Sequence, residues 1–256
     1  MTNFKTYFFG TDKNIFKYTG KLIKYVFKKK PDLLVAPGTH IITGYPGAGK
    51  TLLMSEIINR VDSDKYFFLS NIPEFLGYDN VFTFDIECIF SDNKMIRTFP
   101  LIDYKGRQLY GVIFDEINLN FNKRLNRKSD YNALFIGLIE FLVTHRHQGV
   151  KRVYFIGQKI ELQDTQLQSL FKYRHDIIKS YKRPFYWYYY EKSKIAFLPK
   201  KLKVIHYLKD NSDVFNAFKI KKYKIHKESI KRYDTHALRL NYLDLPTYTI
   251  TARKKN

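Results

Sequence analysis

Cysteine is almost missing from this chain. Cys88 stands alone among 256 residues, which excludes an internal disulfide and a cysteine-built metal site and fits a reducing compartment. Long apolar runs are missing too. No stretch reaches the 18 or so apolar residues of a bilayer-spanning helix, so the chain is not expected to cross a membrane by itself. The opening MTNFKTYFFGTDKN is not expected to act as a signal peptide, because its apolar run is short and Asp12 and Lys13 follow at once. Acidic residues are scarce: 24 Asp and Glu face 45 Lys and Arg, for a net charge of +21. That is more than solubility needs, and it favours a polyanionic partner, either nucleic acid or an anionic membrane face. The excess is uneven. Between Lys179 and Asn256 about 20 basic residues oppose about six acidic ones, a surplus of about 14 and two thirds of the net charge. Lys, Asn, Ile, Phe and Tyr crowd out Ala and Gly, as in an AT-rich genome, so part of the aromatic excess (21 Tyr, 22 Phe) is coding bias. An apolar fraction of 45% is ordinary for a folded domain.

Three regions follow from the patterning. Residues 1–31 read as a loose arm and then a basic amphipathic helix, with Ile15, Tyr18, Leu22 and Val26 on one stripe and lysines around it. Such a helix suits either packing on the domain or an anionic membrane surface. Residues 32–178 read as the core. Apolar strands are expected at His40–Thr43, Tyr66–Asn71, Asn80–Ile86, Tyr110–Phe114 and Arg152–Ile156. Helical periodicity marks Thr51–Val61 and Tyr131–His145, and a short helix capped by Asp164 follows. This alternation predicts an α/β fold, a parallel sheet between helices. Residues 179–256 read as a basic, strand-rich C-terminal extension, with an aromatic run from Phe185 to Tyr190. That run suits alternation in a strand, or base stacking beside basic groups.

The chemistry concentrates where the first strand ends. Gly44, Tyr45, Pro46, Gly47, Ala48, Gly49, Lys50 and Thr51 match the pattern G-x-x-x-x-G-K-[ST] in full. The glycines let successive amides curl around one anion, and the following helix adds its positive N-terminal dipole. Lys50 can reach the β- and γ-phosphates of ATP, and the Thr51 hydroxyl can ligate Mg²⁺. A strand before the loop and a helix after it are what the motif needs. A metal-side carboxylate is expected on a neighbouring strand, and Asp115 ends an apolar one. Glu116, next to it, is placed to polarise an attacking water. Gln158 ends the next strand and is a candidate sensor or water-orienting group beside the γ-phosphate. Arg146 is a candidate for stabilising the transferred phosphoryl, in cis or from a neighbouring subunit, with Arg152 and Arg174 competing. His145 and His147 are two residues apart, poor spacing for metal ligands on a helix.

The P-loop, FLSNIP, the Asp115–Glu116 strand end, Thr144-His145-Arg146-His147-Gln148-Gly149, Val153–Gln158 and Arg232-Tyr233-Asp234-Thr235-His236 together resemble the Zot-type ATPases. That family holds the zonula occludens toxin domain and the filamentous-phage assembly ATPases. The resemblance covers roughly residues 38–240. It implies a RecA-like P-loop core of the FtsK–HerA kind, working as a homo-oligomeric ring that drives phage DNA packaging or extrusion at the host inner membrane. Carried over by position, Lys50 and Thr51 bind phosphate and Mg²⁺, Asp115 and Glu116 are the metal and water pair, and Gln158 is the sensor. The family carries a membrane-spanning helix after its ATPase domain, and none is read before Asn256. Host cytoplasm is therefore expected, with any contact to the inner face of the membrane made by the basic N-terminal helix or by membrane-bound assembly proteins. Two other functions fit the same residues: a secretion or assembly ATPase that does not grip DNA, and a DNA-binding replication helicase.

Overall fold

Among the described residues eight strands join into one sheet, in the spatial order Val81–Thr83, Tyr66–Ser70, Gln108–Phe114, Arg152–Ile156, Gly38–Thr43, Tyr173–Tyr189, Lys192–Lys209 and Phe215–Lys224. In this computed structural model residues 32–71, 75, 77–84, 95–115, 129–189, 192–210, 214–232 and 251–254 are described. The expected N-terminal helix, Glu116 and Tyr233–His236 lie outside them. Leu33–Asn256 form one compact unit. Strands β1 (Gly38–Thr43), β2 (Tyr66–Ser70), β3 (Val81–Thr83), β5 (Gln108–Phe114) and β6 (Arg152–Ile156) are the expected apolar runs, and they pair in parallel. Strand β4 (Met95–Thr98) pairs apart from them with β10 (Thr251–Lys254). The mostly parallel sheet between helices expected from the sequence is the architecture found.

Alternation along each strand sends side chains to two cores. On one face Ile42, Phe68, Ile113, Tyr154 and Ile156 pack against helix α1 (Lys50–Arg60) through Leu53, Met54 and Ile57. On the other face Ile41, Phe67, Leu69, Val112, Phe114 and Phe155 meet helix α2 (Ser129–Thr144) and helix α3 (Thr165–Leu170). Asp164 caps α3, its carboxylate accepting from the Gln166 amide at 2.8 Å. Helices α1 and α2 thus leave the sheet on opposite faces. That is the arrangement which opens a crevice at the carboxyl ends of the strands.

The sheet does not stop where composition turns basic. Strand β7 (Tyr173–Tyr189) pairs in parallel with β1, and its range includes the change near Lys179. Strands β8 (Lys192–Lys209) and β9 (Phe215–Lys224) then add antiparallel neighbours. The aromatic run Phe185–Tyr189 is strand backbone, in register with Ala196–Lys192 of β8.

A polar chain crosses four of these strands inside the α1-side core. His40 Nδ1 lies 3.0 Å from His175 Nε2, His175 Nδ1 lies 2.8 Å from His206 Nδ1, and His206 Nε2 lies 3.0 Å from the Tyr223 hydroxyl. The far end is fixed by chemistry. The Ala36 carbonyl, 2.8 Å from His40 Nε2, can only accept. His40 therefore donates there and accepts at Nδ1, so His175 donates from Nε2, His206 donates from Nδ1, and the Tyr223 hydroxyl donates to His206. Each ring in that pattern is neutral, and all four side chains are at most 2% exposed. Burial lowers the pKa of His40 to about 3 and that of His175 well below its ordinary value.

Helix α4 (Lys227–Arg232) docks on α1 through a buried carboxylate. Glu56 accepts from the His226 amide at 3.0 Å, the Ser229 hydroxyl at 2.7 Å and Arg60 Nε at 2.8 Å. Burial opposes its charge, yet these donors prevail and hold its pKa below the ordinary value.

Candidate active site

The phosphate loop occupies the turn that sequence mechanics demand, between β1 and α1. Gly47 and Gly49 adopt φ of 71° and 95°, the left-handed region open to glycine at no steric cost. Gly49 is also the N-cap of α1, and no side chain caps that helix end. Its first amides are left for an incoming anion. A Cβ on Gly49 would sit 3.1 Å from Leu202 of β8, so the loop rests closely on that strand. Tyr45 is 75% exposed at the rim. Lys50 folds over the loop, its ammonium donating to the Gly44 carbonyl at 3.1 Å and the Tyr45 carbonyl at 3.2 Å.

Asp115 ends β5, two strands from β1, and is buried. The Thr51 hydroxyl donates to its Oδ2 at 2.9 Å. A hydroxyl and a carboxylate meeting beside an anion hollow form an all-oxygen donor set of the kind Mg²⁺ takes. Gln158 ends β6, between those strands, with its side chain exposed, and its carbonyl accepts from the Gly44 amide at 3.1 Å. The loop, Gln158 and Asp115 thus line up along one edge of the sheet.

Arg146 is not brought there. It lies just past the C-terminal end of α2, and with Pro37, Gly149, Lys151, Lys172 and Tyr173 it lines a concavity at the edge where β1, β6 and β7 begin. The expectation of a cis contribution from Arg146 is therefore corrected. The reason is geometric: a helix joining parallel strands runs against them and ends at their amino edge. Arg174, its competitor, is paired with Asp176 at 2.8 Å and Glu161 at 3.8 Å. His145 is buried, with Nδ1 2.6 Å from the Leu142 carbonyl, and burial lowers its pKa.

Two supporting residues escaped sequence reasoning. Asn71, just past β2, accepts from the Asp115 amide at 2.7 Å and donates to the Asp115 carbonyl at 3.3 Å, clasping the carboxylate's backbone. Its signal was the Asn that ends FLSN. Asp176 of β7 accepts from the Thr43 hydroxyl, immediately before the loop. Asn71→Leu keeps similar bulk and removes both bonds. It is expected to cost about 1–3 kcal/mol, the penalty for stranding buried backbone groups, read as a lower urea midpoint at unchanged m-value.

No family model matches the chain. A 37.2 kDa uncharacterized protein of Acholeplasma phage L2 is 27% identical over 238 residues, covering 87% of this chain and 74% of that one. Among solved structures, the N-terminal domain of zonular occludens toxin from Neisseria meningitidis covers 78% of this chain and 100% of its own, with TM-score 0.46 and 16% identity. The genome packaging NTPase B204 of Sulfolobus turreted icosahedral virus 2, in complex with ATPγS, covers 74% and 98%, with TM-score 0.39 and 12% identity.

Proposed function

We propose that this chain is an ATP-hydrolysing motor of the Zot and filamentous-phage assembly type, driving viral DNA packaging or extrusion during virion morphogenesis. The observation that carries the reading is the 2.9 Å meeting of Thr51 and Asp115 beside the uncapped start of α1. The loop amides and Lys50 hold the triphosphate. Mg²⁺, when bound by Thr51 and Asp115, withdraws charge from the phosphoryl oxygens. Glu116, the next residue along the chain, takes the proton of the attacking water, and Gln158 orients that water. Arg146 can act only on a neighbouring protomer's phosphate, which calls for a homo-oligomeric ring. A packaging NTPase among the similar structures and a phage relative support the viral setting. The net charge of +21 supports DNA as the load. Host cytoplasm is the proposed location, and among the described residues no helix is long and apolar enough to cross a membrane.

The test is ATP turnover with and without DNA, for wild type and Glu116→Gln. Wild type should hydrolyse ATP faster with DNA. Glu116→Gln should still bind ATP, lose turnover by about a hundredfold or more, in the range typical of a lost general base, and accumulate as an oligomer. Turnover at the wild-type rate in Glu116→Gln would overturn the base assignment.

A further inference from the structure

Beyond α2 and α3 the sheet runs on through β7, β8 and β9. The face opposite α1 there carries lysines in register. Lys179, Lys203 and Lys222 stand directly across three adjacent strands, and Tyr181, Lys201 and Lys224 form the next row. Adjacent strands lie about 4.8 Å apart, and like charges facing each other across them are unfavourable. Five ammonium groups sit in these two rows, and among the described residues none has a carboxylate partner. Lys179 and Lys222 both lie against the Tyr181 ring, 5.2 and 5.6 Å from its centre. The chain therefore keeps a mutually repelling cluster around an aromatic ring.

The other face of the same strands carries the phosphate loop. Ile177 and Leu202, on β7 and β8 beside these lysines, belong to the α1-side core. They lie 3.2–3.4 Å and 3.1 Å from where side chains on Gly44 and Gly49 would begin. We propose that this face is the docking surface for a single nucleic-acid strand, whose phosphates neutralise the two lysine rows while a base stacks on Tyr181. Phosphate neutralisation supplies most of the affinity of such surfaces, and aromatic rings stack any base. A membrane fits the observations less well. The charges lie on a broad sheet face around a ring, and that face backs directly onto the loop that would sense ATP. The inference rests on the motor reading and names the surface by which the motor holds its load.

The test uses the full chain, a fluorescent 30-nucleotide oligonucleotide and anisotropy across a salt series. Changing Lys179, Lys203 and Lys222 together to Gln should weaken binding at least tenfold. It should also reduce the log–log salt slope by about 2, at roughly 0.7 per phosphate contact on a single strand. Tyr181→Ala should weaken binding about fivefold or more with the slope unchanged. ATP turnover without DNA should stay at wild type in both variants, which separates this proposal from failure of the motor reading, and the triple variant, relieved of like-charge contacts, should melt no lower than wild type. Unchanged affinity and slope in the triple variant would overturn the docking surface. So would loss of sedimentation with phosphatidylglycerol vesicles while oligonucleotide binding persists. A Tyr181→Ala protein that binds like wild type would overturn the stacking assignment.

Discussion

Lys50→Ala should abolish nucleotide binding while leaving the fold intact. The ammonium is half-buried and satisfied by the Gly44 and Tyr45 carbonyls at 3.1 and 3.2 Å. It is the loop's own positive charge, poised where phosphate oxygens would replace those carbonyls. Two charge-assisted bonds to phosphate, at about 1.5–3 kcal/mol each, amount to at least a hundredfold in Kd. The rest of α1 should not notice. Alanine suits the first turn of a helix, and the apolar stripe through Leu53, Met54 and Ile57 is untouched. The measurement is thermal unfolding with and without ATP and Mg²⁺. Wild type should gain several degrees with nucleotide, because a ligand that binds only the folded state stabilises it by mass action. Lys50→Ala should melt where ligand-free wild type melts and gain nothing. A shift of wild-type size in the variant would mean that the triphosphate is held elsewhere. Gly49→Ala gives the contrast: it strains a residue at φ 95° and crowds Leu202, so it should lower the midpoint even without nucleotide.

What could be read in advance divides along a physical line. The loop was legible because its mechanics are local: glycines, a lysine and a hydroxyl within eight residues, with a strand before and a helix after. Asp115 and Gln158 were legible because an apolar strand that stops at a polar residue announces its carboxyl end, and in a parallel sheet all carboxyl ends share one edge. The same rule bears on Arg146. A helix that returns between parallel strands carries its last residues to the far edge, so a cis role was excluded as soon as α2 was placed. Asn71 was visible as a strand ending, but its clasp on Asp115 depends on β2 lying beside β5, an adjacency set by the crossovers. The change to basic composition near Lys179 was visible too, yet hydrogen bonding continues through it along β7. Least legible was the His40–His175–His206–Tyr223 chain. Its members come from four strands, and only the register of β1 with β7, β7 with β8 and β8 with β9 brings them together.

That chain carries the largest expected pH effect. His40 and His175 are neutral in the fold, with pKa about 3 and well below 6.5 respectively, because burial removes the water a charged ring needs. Only the Ala36 carbonyl favours a charged His40, and burial outweighs it. Around His40 stand the Tyr154 and Tyr173 rings, the cations of Arg152 and Lys172, and the other histidines. Once the chain unfolds, both rings recover a pKa near 6.5 and bind protons that the fold refuses. The unfolded state therefore binds more protons below that pH, and stability falls as pH falls. A ring that stays neutral in the fold down to pH 5, as His40 does, costs about 2 kcal/mol between pH 7 and pH 5, and His175 adds a loss of the same sign, against the roughly 5–15 kcal/mol typical of a domain. His145, also lowered by burial, adds to the loss in the same window. The buried carboxylates do not. Glu56 and Asp103 have lowered pKa values, so their stabilisation is complete above the ordinary 4.5 and 3.8 and is lost only as pH falls below those values. Urea unfolding at pH 7, 6 and 5 should show the midpoint dropping, with a proton uptake on unfolding that rises toward about one per buried histidine at pH 5. A midpoint that stays level from pH 7 to pH 5 would mean that the rings already carry charge in the fold, and the one-way donor pattern from Tyr223 to Ala36 would have to be abandoned.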